Sequence, residues 1–259
     1  RHVIGRIGQS GWMIILVTAT EHLPHQEKWV EKLTERVPQV ETIVHNVNGK
    51  RTNVILGPKN TVLYGDGTIT DHIKDLRFTL SPHSFFQVNP EQTTVLYDQA
   101  LAYADLKGNE TVIDAYCGTG TISLFLAHKA KHVIGIEIVE PAIINARENA
   151  QRNGYDNTEF IVADAAVEMP KLYKAGVRPD VIVFDPIRAG CKEEVLTSAA
   201  GMEPKRIVYV SCNPATMARD IEILTHYGYE LQEVQPVDMF PMTAHVEAVA
   251  LLTRSEATQ

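Results

Sequence analysis

The sequence predicts an α/β fold: a mostly parallel sheet covered by helices on both faces, preceded by a small α+β unit. Two observations predict it. From Glu110 onward short apolar runs alternate with amphipathic helical stretches, the pattern of a parallel sheet with buried faces. Polar residues stand at the carboxyl ends of the apolar runs, where ligands bind in such sheets: Asp114, Glu137, Asp164, Asp185 and Cys212. The boundary is expected at 79/80, with residues 1–79 as the small unit and 80–259 as the larger one.

Within 1–79, "WMIILVTAT" reads as a strand, and Trp29, Val30, Leu33 and Val37 recur at helical spacing in "PHQEKWVEKLTERV". "ETIVHNVN" and "TNVILG" read as strands around an "NGKR" turn, and "NTVLYGDGTITDHI" as short strands around Gly-Asp-Gly. No catalytic cluster stands out there, so this unit reads as a scaffold or binding module. After Pro90 a helix runs through Val95, Leu96, Ala100 and Leu101. Strands follow at "TVIDAY", "HVIGIEI", "TEFIVAD", "DVIVFDP" and "RIVYVS". Helices are read at "TISLFLAHKA", "PAIINARENAQRN", "EEVLTSAAG" and "ATMARDIEILTHY", and two last strands near "LQEVQPVDMF" and "VEAVALLTR".

Bulk properties narrow the function. The chain has 259 residues, 44% of them hydrophobic, ordinary for a globular protein with one large domain or one large and one small. No apolar run reaches the roughly 20 residues of a membrane span, and no signal peptide is visible. Three cysteines, Cys117, Cys191 and Cys212, fit a reducing cytoplasm better than a disulfide framework, and no clustered Cys/His motif calls for a metal. Opening on Arg1, the chain reads as a piece of a longer protein with an incomplete first unit. Net charge is −8, but residues 1–80 carry 10 basic against 8 acidic side chains and the remainder 14 against 24. Charge alone therefore argues against nucleic acid.

The strand ends carry the chemistry. In "DAYCGTGT", Gly118 and Gly120 let a ligand approach the backbone, and Glu137, 19 residues beyond Gly118, is placed to accept from ribose hydroxyls. That suits a dinucleotide or S-adenosylmethionine; Ser123 breaks the full dinucleotide fingerprint. Asp164 is placed for an adenine amino group, unless it is a solvated loop residue. In "VFDPIRAG", Asp185 and Arg188 form a polar pair aimed out of a dry sheet, or an internal ion pair. Cys212 closes the strand in "IVYVSCNPATMARD". A lone cysteine there is usually core. Pro214, however, suits a first helical turn, and a helix N-terminus beside the sulfur favours thiolate. A nucleophile beside a methyl donor implies covalent activation of a weakly nucleophilic carbon.

In order along the chain, "SFFQVNP", "DAYCGTGT", "GIE", "DPIRAG", "VYVSCNPATMARD" and "DMFPMTAHVEAVALL" resemble the bacterial RNA 5-methyluridine (uracil-C5) methyltransferases, most of all their 23S ribosomal type. The likeness covers 81–254 closely and 1–80 loosely. It implies a Rossmann-like S-adenosylmethionine-dependent methyltransferase. It assigns cofactor binding to Gln87, Tyr116, Thr121, Glu137, Asp164 and Asp185, and substrate contact to Asp185 and Arg188. Cys212 becomes the nucleophile that adds to carbon 6 of uracil, and Glu247 the base that removes the carbon 5 proton. Further implications are an RNA substrate, a role in rRNA processing, a monomer in the cytoplasm, no membrane and no metal in these residues. The target base must be flipped or unpaired, with Phe85, Phe86 and Phe240 as stacking candidates that read equally as core.

The chain departs from this family in three ways. Ile187 stands where the family usually has a second proline, which loosens the backbone before Arg188. The N-terminal RNA-binding barrel and four-cysteine iron–sulfur cluster of some relatives are not in these residues. The acidic catalytic part leaves phosphate attraction to a region upstream. Competing readings are a transfer-RNA uridine-C5 methyltransferase, an amino-group methyltransferase, a non-enzymatic RNA-binding assembly factor and, weakest, an NAD-dependent dehydrogenase.

Overall fold

A computed structural model describes residues 1–52 and 54–255. The chain divides into two compact units, Arg1–Phe86 and Gln87–Gln259. Among the described residues no helix is long and apolar enough to cross a membrane.

In the first unit, strands β1 (His2–Ile7), β2 (Trp12–Thr18), β3 (Val40–Val47) and β4 (Lys59–Tyr64) form one sheet in that order. Only β2 and β3 pair in parallel, as the crossover through α1 (Gln26–Arg36) requires. Val30 and Leu33 of α1 pack on Leu16, Val40 and Ile43. A separate hairpin joins β5 (Ile69–Ile73) to β6 (Leu76–Leu80). No strand forms among the described residues of the expected strand at "TNVILG". Asn48 Nδ2 donates to the carbonyls of Val54 (2.7 Å) and Ile55 (2.9 Å), and Gly57 N–H donates to Asn46 Oδ1 (2.7 Å), so side chains take the groups a ladder would use. The unit extends past residue 79 because Arg6 donates to the carbonyls of Ser84 (2.6 Å) and Pro82 (3.1 Å), while Phe86 packs on Phe78 with ring centroids 5.8 Å apart.

The second unit opens with α2 (Pro90–Ala104), capped by Asn89, whose side chain accepts from Gln92 N–H. It then alternates β7 (Thr111–Asp114), α3 (Thr121–Ala127), β8 (His132–Glu137), α4 (Glu140–Arg152), β9 (Thr158–Val162), α5 (Ala165–Lys174), β10 (Val181–Phe184), α6 (Glu193–Gly201), β11 (Arg206–Ser211) and α7 (Pro214–His226), ending in β12 (Tyr229–Val237) and β13 (Glu247–Arg254). The sheet order is β12-β13-β11-β10-β7-β8-β9, with β13 antiparallel to both neighbours, β12 and β11, and the five strands from β11 to β9 paired in parallel. Ile113, Ile134, Ile182, Phe184, Ile207 and Tyr209 fill its interior. The chain leaves β7 toward β9 and returns to β10 on the other side of β7. The switch point therefore lies between β7 and β10, where such folds bind ligands.

Candidate active site

The loop after β7 is held on the sheet by its own backbone: Cys117 N–H donates to Ile136 C=O (3.0 Å) and Gly120 N–H to Cys117 C=O (2.8 Å). Gly118 and Gly120 have φ of 53° and 81°, the left-handed region that favours glycine. A Cβ at Gly118 would meet nothing within 4 Å, so the loop presents bare backbone to open space. Beneath it, a Cβ at Gly135 would lie 2.6 Å from the Phe160 ring and 2.9 Å from Cys117 Sγ, so glycine in β8 sets the height of the loop.

Glu137, half-buried at the end of β8, accepts from Gly118 N–H (3.3 Å) and Val139 N–H (2.9 Å). It is tied to the turn that it borders. Asp114, at the end of β7, is wholly buried. Its Oδ2 accepts from the Ser123 hydroxyl (2.6 Å), and its Oδ1 has no hydrogen-bond partner. Burial pushes this carboxyl up to about 6, against the pull of Ser123. Sequence reasoning assigned Asp114 no role, although a carboxylate ending an apolar strand before a glycine loop was the available signal. Thr121 pairs its hydroxyl with that of buried Tyr97 (3.1 Å), a residue that no sequence pattern marks.

At the other side of the switch point, β11 and β13 set a second pair. Ser211 pairs with Ala248 in antiparallel register, so Cys212 and Glu247, one residue beyond that pair, lie at the same end of the two strands, close enough for the Glu247 carboxylate to act on the thiol. Cys212 is half-buried and Glu247 buried. Burial raises the Cys212 thiol, the Glu247 and Asp185 carboxylates raise it further, and the Arg188 guanidinium partly opposes them. The helix N-terminus was expected to favour thiolate; burial and two acids prevail instead. Glu247 is raised by burial alone. Asp185 is pushed well up, first by burial and then by Glu247 and Asp114. These mutual influences place Cys212, Asp185, Arg188 and Glu247 in one cluster, with Asp114 behind it. Arg188 is exposed, its Nη2 3.2 Å from His245 Nδ1.

Other expected residues stand apart from this cluster. Asp164 lies two residues beyond β9 and caps α5, accepting from Ala166 N–H (2.9 Å) and from Lys192 Nζ (2.9 Å). The pair and the cap lower its carboxyl. Tyr116 directs its phenol toward the Cys191 thiol, and burial raises it. Gln87 is half-buried ahead of α2. Phe85 is exposed rather than core, Phe86 rests on Phe78 in the first unit, and Phe240 meets His245 edge-on at 6.3 Å.

A parallel sheet with a glycine loop at its switch point, a carboxylate on the next strand end and a final antiparallel pair defines a S-adenosylmethionine-dependent methyltransferase fold. The family described as tRNA (uracil-5-)-methyltransferase matches residues 13–255, and the chain belongs to that family of S-adenosylmethionine-dependent enzymes. An uncharacterized RNA methyltransferase of Halalkalibacterium halodurans is 56% identical over 254 residues, 97% of this chain and 56% of the relative. One from Clostridium acetobutylicum is 53% identical over 93% of this chain and 53% of its own length. The chain thus spans about half the length of the curated relatives that it matches. Among solved structures, the Pyrococcus abyssi tRNA (uracil-54, C5)-methyltransferase in complex with S-adenosyl-L-homocysteine superposes with a TM-score of 0.78 and 30% identity, covering 97% of this chain and 59% of that one. Trm5b of the same organism shares the fold at a TM-score of 0.61 and 17% identity, covering 97% of this chain and 74% of that one.

Proposed function

We propose that the protein methylates carbon 5 of a uridine in 23S ribosomal RNA, using S-adenosyl-L-methionine. The observation that carries this reading is the Cys212 thiol within electrostatic reach of the buried carboxyl of Glu247, at the end of the β11–β13 ladder. An amino-group methyltransferase needs no thiol there, and an assembly factor needs neither group. The loop site fits the cofactor: open backbone at Gly118, the Glu137 carboxylate, and an orphaned Asp114 Oδ1 that a cationic amino group would satisfy. Gln87, Tyr116, Thr121, Asp164 and Asp185 complete the proposed cofactor set, with Asp164 able to serve once Lys192 shares it.

Carbon 5 of uracil is a poor nucleophile. The Cys212 thiol passes its proton to Asp185, whose carboxyl burial pushes well up, and sulfur bonds to carbon 6. The ring's π electrons move to the carbonyl oxygen as an enolate, which the Arg188 guanidinium stabilises. The bound cofactor supplies a methyl group on a sulfonium, an electrophile that the activated carbon 5 attacks. Glu247 then takes the remaining carbon 5 proton, the carbon–sulfur bond breaks, and Cys212 recovers its proton. Burial suits Glu247 to this work, since a carboxyl raised toward neutrality is a stronger base. The base reaches the cluster flipped or unpaired. With −8 net charge on this chain, phosphate attraction falls to the rest of the protein. The enzyme would act as a cytoplasmic monomer in rRNA processing.

"SCNPATMARD" and "TAHVEAVALL" favour the ribosomal substrate. A transfer-RNA substrate is the second reading, favoured by the likeness to the Pyrococcus enzyme. Intact-mass analysis of the full-length protein with the cofactor and RNA carrying 5-fluorouridine tests both. Fluorine blocks the last proton removal, so a methylated adduct accumulates on 23S fragments and not on transfer RNA. An adduct on transfer RNA alone reverses the assignment. No adduct with either, in a protein that binds cofactor and RNA, ends the carbon 5 reading.

A further inference from the structure

Ile187 leaves the loop from Asp185 to Cys191 without the second proline that would stiffen it, so something else must hold it. The holder is α7, the helix that begins beside Cys212. Asn213 Nδ2 (3.1 Å) and Thr216 Oγ1 (3.3 Å) both donate to the Arg188 carbonyl. One turn further, Arg219 Nη2 donates to the carbonyls of Ala189 (3.0 Å) and Cys191 (3.4 Å). The same guanidinium grips Asp220 Oδ1 through Nε (2.8 Å) and Nη2 (2.6 Å). Asp220 Oδ2 in turn accepts from Cys191 N–H (2.7 Å) and from the Tyr209 hydroxyl (2.5 Å) on β11. The loop closes on this pair without slack. Gly190 has φ of 79°, and a Cβ there would lie 2.6 Å from both Arg219 Nη2 and Asp220 Oδ2.

Asp220 is wholly buried, whereas the Arg219 side chain is about half exposed. Burying a carboxylate is costly, and packing alone would be served as well by a hydrocarbon. What the charged pair adds is direction: it bonds the loop's backbone at fixed angles and leaves the loop's side chains free. We infer that Arg219 and Asp220 are positioning residues that lock the substrate loop to the helix that begins beside Cys212, so that Arg188 and Asp185 face the same ring that the thiol attacks. The inference rests on the carbon 5 reading.

The test compares full-length wild type with Arg219→Ala, Arg219→Lys, Gly190→Ala and the double variant Gly190→Ala/Arg219→Ala. It measures kcat and KM on RNA, the rate of adduct formation on 5-fluorouridine RNA, and cofactor affinity by calorimetry. Arg219→Ala lowers kcat and the adduct rate by about 10- to 100-fold, the cost of a displacement on the order of 1 Å. KM and cofactor affinity stay within about twofold, the split expected when an interaction matters only in the transition state. Arg219→Lys does not rescue, because an ammonium cannot hold two carbonyls and a carboxylate from one plane. Gly190→Ala, which pushes the clamp from the loop side, reproduces the loss, and the double variant is no worse than either single one. Wild-type adduct rates in Arg219→Ala overturn the inference, as does full rescue by lysine. If wild type itself forms no adduct, the carbon 5 reading fails and takes the inference with it.

Discussion

Glu137 and Glu247 are the same residue type at the same edge of one sheet, and they are built for opposite work. Glu137 ends a parallel strand, half-buried, with two backbone N–H groups donating to its carboxylate. Glu247 opens the antiparallel strand, buried, and burial alone raises its carboxyl. One is an oriented acceptor, fit to read hydroxyls. The other is a carboxyl whose charge the surroundings disfavour, which suits the proton-carrying role proposed for it. The difference comes from strand direction. A parallel strand delivers its last residue into a loop of free N–H groups, whereas β13 delivers its first residue against Cys212, where the neighbours are a thiol and other acids.

The strongest challenge to this contrast is Cys212→Ala. It abolishes the adduct and lowers methylation by roughly 10,000-fold or more, as loss of a nucleophile does; activity within tenfold of wild type would make the thiol a bystander. Glu247→Gln follows, with turnover on ordinary uridine RNA lowered about 100- to 10,000-fold. Because addition and methyl transfer precede its step, the variant accumulates a methylated adduct without fluorine, visible by intact mass. An unmethylated stall would move Glu247 to an earlier step.

Asp114→Asn sharpens the comparison through pH. Burial raises Asp114 from 3.8 to about 6, so the folded chain holds this proton more tightly than the unfolded one. The stability that the protonated group contributes is fully present below pH about 4 and is lost as pH rises through about 6. Asparagine does not titrate there. Between pH 4 and 7 the variant therefore gains on wild type, by at most about 3 kcal/mol, in denaturant or thermal unfolding. A constant difference across that range would mean that Asp114 keeps an ordinary carboxyl. The smallest effect belongs to Lys192→Ala. It removes an exposed partner of Asp164 and changes stability by less than about 0.5 kcal/mol. Its informative readout is cofactor affinity, which rises or holds if Asp164 serves the adenine and falls if Lys192 itself binds.

The central strands β7, β8, β10 and β11 were legible because each is a short, buried apolar run that ends on or just before a polar residue, and burial on both faces leaves no other pattern. Helix α5 was not legible. Pro170 sits inside it and only Ala165 and Met169 are buried, so neither propensity nor periodicity marked it. Strands β1 and β6 escaped for a related reason, being edge or hairpin strands whose pairing partners lie in the fold rather than in their composition. At "TNVILG" the apolar run reads as a strand, but residues 54–57 form no ladder, since nothing local shows that Asn46 and Asn48 claim their backbone. At the site, residue identities were readable and their electrostatics were not. Helix position spoke for a low thiol pKa, and only the folded chain shows Glu247 and Asp185 close enough to reverse it.

The pairing of β11 with β13 has a consequence for how this enzyme can go wrong. Successive residues of a strand point to opposite faces, so a slip of one position along that seam would turn Glu247 away from the thiol and carry apolar Val246 or Ala248 into its place. The catalytic pair is thus written into the sheet's alignment, and misalignment is punished at once. On the proposed mechanism such a chain would be silent rather than sloppy: it would lose the proposed pair altogether instead of acting on the wrong base. The sheet's register shift falls in β12, between Leu231 and Glu233, whereas the seam beside the thiol runs unbroken from Arg206 to Ser211.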